Sequence, residues 1–241
     1  MSIHVVGGGW SDEYDGEVYG EFVAEAGARA LASGRDIPRI AVLLVHEDAL
    51  TAADWAEKYR DQLLRVAVCE PVVTAITEGE LFTSSVLSGV DGLLVGGGLT
   101  PAYLDAVAPL VDEIRMLVAD SLPYLGLSAG AAIAADTAII GGWMIGDVPV
   151  SAEAASEDLD DLTVAEGLGL VDLAIDVHAA QWGTLSRLVA ATEAGLVDGG
   201  IAIDEYTVLI VGDDLLRVIG AGSIWQVDRT DDGVLVSTLG A

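Results

Sequence analysis

Pro123-Tyr-Leu-Gly-Leu-Ser128-Ala-Gly-Ala-Ala-Ile133 is the stretch that decides how this chain folds. A short apolar run, the length of one buried strand, enters Gly126-x-Ser128-x-Gly130 and leaves as small residues able to start a helix. Glycines flank the serine because a tight strand-to-helix corner has no room for neighbouring side chains. Such a corner lifts the serine hydroxyl clear of a sheet. It also leaves the amide of Ala129 at a helix N-terminus, where it can donate to an oxyanion. The competing reading is an ordinary glycine-rich turn with an inert serine.

Working outward, apolar β-branched runs alternate with amphipathic stretches. Strands are predicted over 3–7, 39–45, 71–76, 92–96, 123–127, 173–178, 200–204, 207–211, 215–219 and 223–227. Helices are predicted over Glu17–Leu31, Ala49–Leu64 and Pro101–Val118, the last with Thr100 as N-cap and Pro101 at the first helical position. The alternation implies an α/β fold of three layers, a mostly parallel sheet flanked by helices. From Gly200 onward, short strands separated by Gly212-Asp-Asp214, Gly220-Ala-Gly222 and Thr230-Asp-Asp-Gly233 read as antiparallel hairpins at the C-terminal end. Residues 1–241 form one domain, and the polar segment Ser151–Asp161 reads as a surface loop and not a linker.

Composition narrows the function. Thirty-nine acids face ten bases, giving a net charge of −29, and Lys58 is the only lysine. This excludes nucleic acid and anionic membranes as partners, because phosphates require clustered Lys and Arg. A surface so acidic suits a salt-rich interior, although a solvated face with a genomic bias reads equally well. No apolar run approaches the roughly 20 residues needed to span a bilayer. The start, Met1-Ser-Ile-His-Val-Val6, has no basic segment ahead of an apolar one, so no leader and a cytoplasmic location are expected. A single cysteine, Cys69, excludes an internal disulfide, and no His/Cys cluster points to a metal or cofactor.

A serine nucleophile needs a base, and the chain has three histidines. His4 sits inside the first strand and His46 ends the second, both positions where a structural role is the simpler reading. His178 ends the run Leu173-Ala-Ile-Asp-Val-His178, at the carboxyl edge where open α/β sheets place their ligands. Glu205 is the preferred orienting acid, with Asp147 and Asp136 as rivals. Gly92-Leu-Leu-Val-Gly96-Gly97-Gly98 is a second strand and glycine turn, whose Gly97 or Gly98 amide would complete an oxyanion site with Ala129. Gly7-Gly8-Gly9 lacks the spacing of a dinucleotide fingerprint and reads as a loop at the same edge.

These motifs occur in a recognisable order. Gly96-Gly97-Gly98, Gly126-Leu-Ser-Ala-Gly-Ala131, Glu157-Asp-Leu-Asp-Asp-Leu-Thr163, Gly167-Leu-Gly-Leu170, Asp176-Val-His178 and Ile203-Asp-Glu205 together resemble the peptidase E/cyanophycinase family, and its cyanophycinase branch more than peptidase E. The resemblance covers roughly residues 90–220. It implies a fold like the class I glutamine amidotransferases, dimers in some relatives, and hydrolysis of peptide or isopeptide bonds beside aspartate. Carried over, Ser128 matches the nucleophile, His178 the base and Glu205 the acid. The peptidase E branch takes its acid soon after the serine, where this chain has Trp143 and then Asp147.

The chain departs from the family at several positions. Gly97-Gly-Leu-Thr100 stands where cyanophycinases have Gly-Gly-Asp-Gln, and Asp176-Val-His178 where they have Asp-Gln-His. Of several arginines after the histidine, only Arg187 remains in Ala179-Ala-Gln-Trp182-Gly-Thr-Leu-Ser-Arg187. Thr100, Asp176, Trp182 and Arg187 are the expected substrate contacts, with Arg187 gripping a carboxylate. So few arginines point to a small aspartyl or β-aspartyl peptide and away from cyanophycin itself. An α/β-hydrolase esterase would need a histidine near the C-terminus, and none follows His178. The remaining alternative is a family member that binds a ligand or partner without turning it over.

Overall fold

In the computed structural model, which describes residues 2–212 and 215–240, the apolar runs pair into two main sheets. The strands in chain order are β1 (Ser2–Val6), β2 (Arg39–His46), β3 (Glu70–Thr77), β4 (Gly92–Val95) and β5 (Tyr124–Leu127), then β6 (Thr137–Gly141), β7 (Met144–Ile145), β8 (Val148–Pro149) and β9 (Thr163–Glu166). They continue with β10 (Ala174–Val177), β11 (Gly199–Ile203), β12 (Thr207–Gly212), β13 (Leu215–Gly220), β14 (Ser223–Thr230) and β15 (Gly233–Gly240). The helices are α1 (Asp15–Ala32), α2 (Ala49–Val66), α3 (Thr100–Val107), α4 (Val111–Ala119), α5 (Ala129–Ala132), α6 (Ala179–Trp182) and α7 (Leu185–Ala194).

The larger sheet has seven strands in the order β13-β12-β1-β5-β4-β2-β3. Its five strands from β1 to β3 run parallel, and the β12–β13 hairpin closes the β1 edge antiparallel. Alternation along each strand sorts the core into two layers. Val5, Leu43, Leu93 and Val95 point toward α3 and α4, among Tyr103, Ala106 and Ile114. Val6, Val42, Leu44, Leu94 and Leu125 point toward α1 and α2, among Phe22, Val23, Tyr59 and Leu63. Helices therefore cover both faces, as a mostly parallel sheet requires. Asp48 starts α2 by accepting from the amides of Leu50 and Thr51 at 2.8 and 2.9 Å.

Several expectations change in detail. The single helix over Pro101–Val118 is two, α3 and α4, separated by a 3-10 turn at Ala108-Pro-Leu110. Pro109 has no amide proton and clashes with a continuing helical turn. Thr100 is the first residue of α3 and not its cap; Leu99 in extended conformation takes the cap position, and the carboxylate of Glu157 accepts the Thr100 amide at 2.9 Å. Strands β10 and β11 leave the larger sheet and pair in parallel, extended by β14 and β15 into a second sheet ordered β10-β11-β14-β15. The reason is edge occupancy. The free side of β1 is taken by β12, so β10 and β11 have no backbone partner there. The pairs β6–β9 and β7–β8, and strand β15, were absent from the sequence reading. Asp213 and Asp214 of the Gly212-Asp-Asp turn lie outside the described residues. Among the described residues, no helix is long and apolar enough to cross a membrane.

Candidate active site

Ser128 follows β5 and precedes α5 with φ 52° and ψ −109°, a conformation rare for any residue with a side chain. The neighbours show why glycine flanks it. A Cβ on Gly126 would lie 2.3 Å from the Gly130 carbonyl oxygen, and one on Gly130 would lie 2.2 Å from that of Val95. The corner is tied down by the Ser128 amide donating to Val6 and the Gly130 amide donating to Gly96, both at 3.0 Å.

His178 occupies a second strand-to-helix corner, between β10 and α6, in the left-handed region at φ 56° and ψ 38°. Its amide donates to the Gly7 carbonyl at 2.9 Å, and a Cβ on Gly8 would fall 2.1 Å from its Cε1. The loop Gly7-Gly8-Gly9, expected at this sheet edge, is therefore the floor on which the imidazole lies. The other ring face is covered by Trp182, stacked with centroids 3.8 Å apart and planes 6° apart. Held this way, His178 places Nε2 2.9 Å from Ser128 Oγ and Nδ1 2.8 Å from Glu205 Oε1. Burial pulls the imidazole below the ordinary histidine range, and the Glu205 carboxylate pulls the other way. The neutral ring that results can accept a proton.

Glu205 stands just after β11, its amide donating to Gln181 Oε1 at 3.0 Å. Its neighbour Asp204 is a bracket that sequence reading missed. One oxygen accepts from the Ala180 amide and the Trp225 indole, and the other from the Ser223 amide, all at 3.0 Å. Asp204 thereby locks α6, β11 and β14 together behind the histidine. Asp147 is exposed in the turn between β7 and β8, and Asp136 is also exposed. Neither bonds to His178, whose acidic partner is Glu205.

A cavity of about 680 Å³ opens beside these groups. Of the four expected substrate contacts, only Trp182 lines it. Thr100 and Asp176 are buried away from it, and Arg187 is turned inward. Arg187 Nε and Nη2 donate to the two oxygens of Asp176 at 2.8 and 2.6 Å, and Nη1 donates to the carbonyls of Gly142 and Ala155. With 4% exposure it is a structural clamp, not a free carboxylate grip. The sequence pattern missed this because Asp176, two residues before the histidine, offers a buried bidentate partner first. The cavity wall carries Glu47, Glu78, Glu157, Asp158 and Glu205, and among the described lining residues there is no lysine or arginine. Glu157, expected in a surface loop, is half-buried, and burial raises its carboxyl above the usual range despite the opposing Thr100 amide.

Of the three amides expected to receive an oxyanion, Ala129 and Gly98 have no hydrogen-bond partner among the described residues. The Gly97 amide is already committed, donating to the Tyr59 hydroxyl at 3.2 Å. Of the three, Gly98 and Ala129 are therefore the amides left free to donate.

A buried serine on a strained corner, bonded through a histidine to an acid and flanked by free amides, is an arrangement chemically able to activate a serine nucleophile on an α/β scaffold. The chain belongs to Peptidase family S51, whose profile matches residues 49–219. It is 36% identical over 151 residues to the cyanophycinases of Synechococcus elongatus and Thermosynechococcus vestitus, an alignment covering 60% of this chain and 44% of each of those proteins. Among solved structures it resembles a peptidase from an acI-B1 actinobacterium, with a TM-score of 0.66 at 17% identity over all of this chain and 94% of that one. A putative peptidase E from Listeria monocytogenes aligns with a TM-score of 0.56 at 13% identity, covering 92% of this chain and 99% of that one. These two likenesses support the α/β fold with its central, mostly parallel sheet.

Proposed function

We propose that this protein is a serine peptidase acting on small peptides through Ser128, His178 and Glu205. The observation that carries the reading is the unbroken hydrogen-bonded line Ser128 Oγ–His178 Nε2 and His178 Nδ1–Glu205 Oε1, at 2.9 and 2.8 Å. In this scheme His178 Nε2 takes the hydroxyl proton as Ser128 Oγ attacks the peptide carbonyl. The amides of Gly98 and Ala129 stabilise the tetrahedral oxyanion. His178 then protonates the leaving amine, the C–N bond breaks, and water repeats the sequence on the acyl-enzyme.

Kinship with cyanophycinases makes aspartyl and β-aspartyl peptides the first substrates to test. The cavity's own charge argues for a different preference. With Arg187 paired to Asp176, Lys58 behind Trp55 paired to Asp54, and five acidic side chains on the wall, a substrate carboxylate meets mostly like charge, whereas neutral and cationic peptides do not. The test is hydrolysis of α-aspartyl, β-aspartyl, asparaginyl and lysyl peptides by wild type and Ser128→Ala at low and molar salt. Serine-dependent turnover supports a peptidase. Turnover by neither protein supports the alternative of a ligand-binding member. An aspartyl peptide cleaved faster than its asparaginyl counterpart at low salt would refute the charge argument.

A further inference from the structure

The loop that faces Ser128 is held by two buried phenols from opposite sides of the sheet. Tyr59 reaches it from α2, in the core layer that holds Phe22 and Leu63. Tyr103 reaches it from α3, in the layer on the other face. They meet at one residue, on the two peptide groups that flank its Cα. The Gly97 amide donates to the Tyr59 hydroxyl at 3.2 Å, and the Gly97 carbonyl accepts from the Tyr103 hydroxyl at 3.1 Å. Both hydroxyls also crowd Gly96, where a Cβ would stand 3.0 Å from that of Tyr59 and 3.1 Å from that of Tyr103. The rings are 1% and 0% exposed, so neither hydroxyl is exchanged for bulk water. Burial drives both phenols above their ordinary range, keeping them protonated at any working pH.

This grip has a consequence next door. A Cβ on Gly97 would lie 3.0 Å from the Ser128 Cβ, so the loop touches the nucleophile directly. With both polar groups of Gly97 engaged, the loop has little freedom to rotate, and the next amide is fixed in direction. That amide belongs to Gly98, which lines the cavity. We propose that Tyr59 and Tyr103 are positioning residues for the oxyanion site, clamping Gly97 at its amide and at its carbonyl, which shares a peptide group with the Gly98 amide, so that Gly98, and not Gly97, is the donor that acts with Ala129. The role rests on Ser128 being the nucleophile, as argued above. Preorganised donors are where such positioning matters, because an ångström of drift costs far more in the transition state than in substrate binding.

The experiment uses Tyr59→Phe and Tyr103→Phe, each keeping its ring packed while deleting one hydroxyl. Ser128 is labelled with a fluorophosphonate, followed by mass spectrometry, and kcat and KM are measured per labelled site on the best peptide. Each variant is expected to lose about 10- to 100-fold in labelling rate and in kcat, with KM within about twofold. Hydrogen exchange of the 94–104 segment should quicken in both, a readout that does not depend on activity. A purely structural role would lower the melting temperature and the labelled fraction yet leave kcat per site unchanged, and that result overturns the proposal. Labelling rates unchanged in both variants overturn it as well. Wild type that fails to label at Ser128, with exchange still quickened in the variants, sinks the peptidase reading and leaves the clamp itself standing.

Discussion

Replacing Glu205 by Gln probes the site at its most informative bond. The change keeps shape and a hydrogen-bonding oxygen but deletes the charge 2.8 Å from His178 Nδ1. Two unit charges about 4 Å apart attract by about 4 kcal/mol at an effective dielectric near 20. The Glu205 side chain is 16% exposed, so solvent screens part of that. A residual of about 2–3 kcal/mol of imidazolium stabilisation corresponds to about 30- to 150-fold in kcat. The pH profile supplies a second sign. Glu205 favours the protonated ring, so its removal makes His178 harder to protonate and moves the acid limb of kcat/KM to lower pH. Stopped-time peptide assays across pH, with Asp147→Asn alongside, read both effects. Asp147 lies at an exposed turn, and its variant should stay within about twofold of wild type. A Glu205→Gln enzyme with full activity, or an acid limb that moves upward, refutes the assignment.

Gly8→Ala should abolish most turnover and cost about 1–3 kcal/mol of stability by chemical denaturation, because φ is +100° and the new methyl would strike His178. A variant with wild-type kcat would show that the imidazole does not rest on this loop. Asp176→Asn strips the buried Arg187 of its counter-ion and should destabilise by about 3–5 kcal/mol, read as a lower urea midpoint; a loss under 1 kcal/mol would mean that Arg187 finds another anion. Glu157 has its carboxyl raised by folding, so the folded state holds that proton more tightly than the unfolded one. This contribution lowers stability as pH rises from the ordinary glutamate range to the raised value, and Glu157→Gln should remove that part of the slope.

Much of this was legible in the chain. The Gly126-x-Ser128-x-Gly130 corner shows itself because its glycines answer a local steric demand, and local demands are written in neighbouring residues. The parallel strands were readable for the same reason, through periodicity and length. What failed was partner choice. Nothing in Leu173–His178 says that the β1 edge is already filled, so the second sheet was invisible. Arg187 was misread because a lone arginine near a pocket looks like a ligand until Asp176 is seen to hold two of its three nitrogens. Tyr59 went unnoticed because its role depends on a loop 38 residues downstream.

Ser128 and His178 ride on corners from different sheets, and the acid follows a strand of the second. During synthesis Ser128 emerges 50 residues before His178 and 77 before Glu205. Asp204 can grip Ser223 and Trp225 only once those residues have also left the ribosome. A growing chain therefore carries Ser128 without its hydrogen-bond partner until the second sheet is being made. The division of the hydrogen-bonded line between two sheets makes its assembly a late event, contingent on the second sheet.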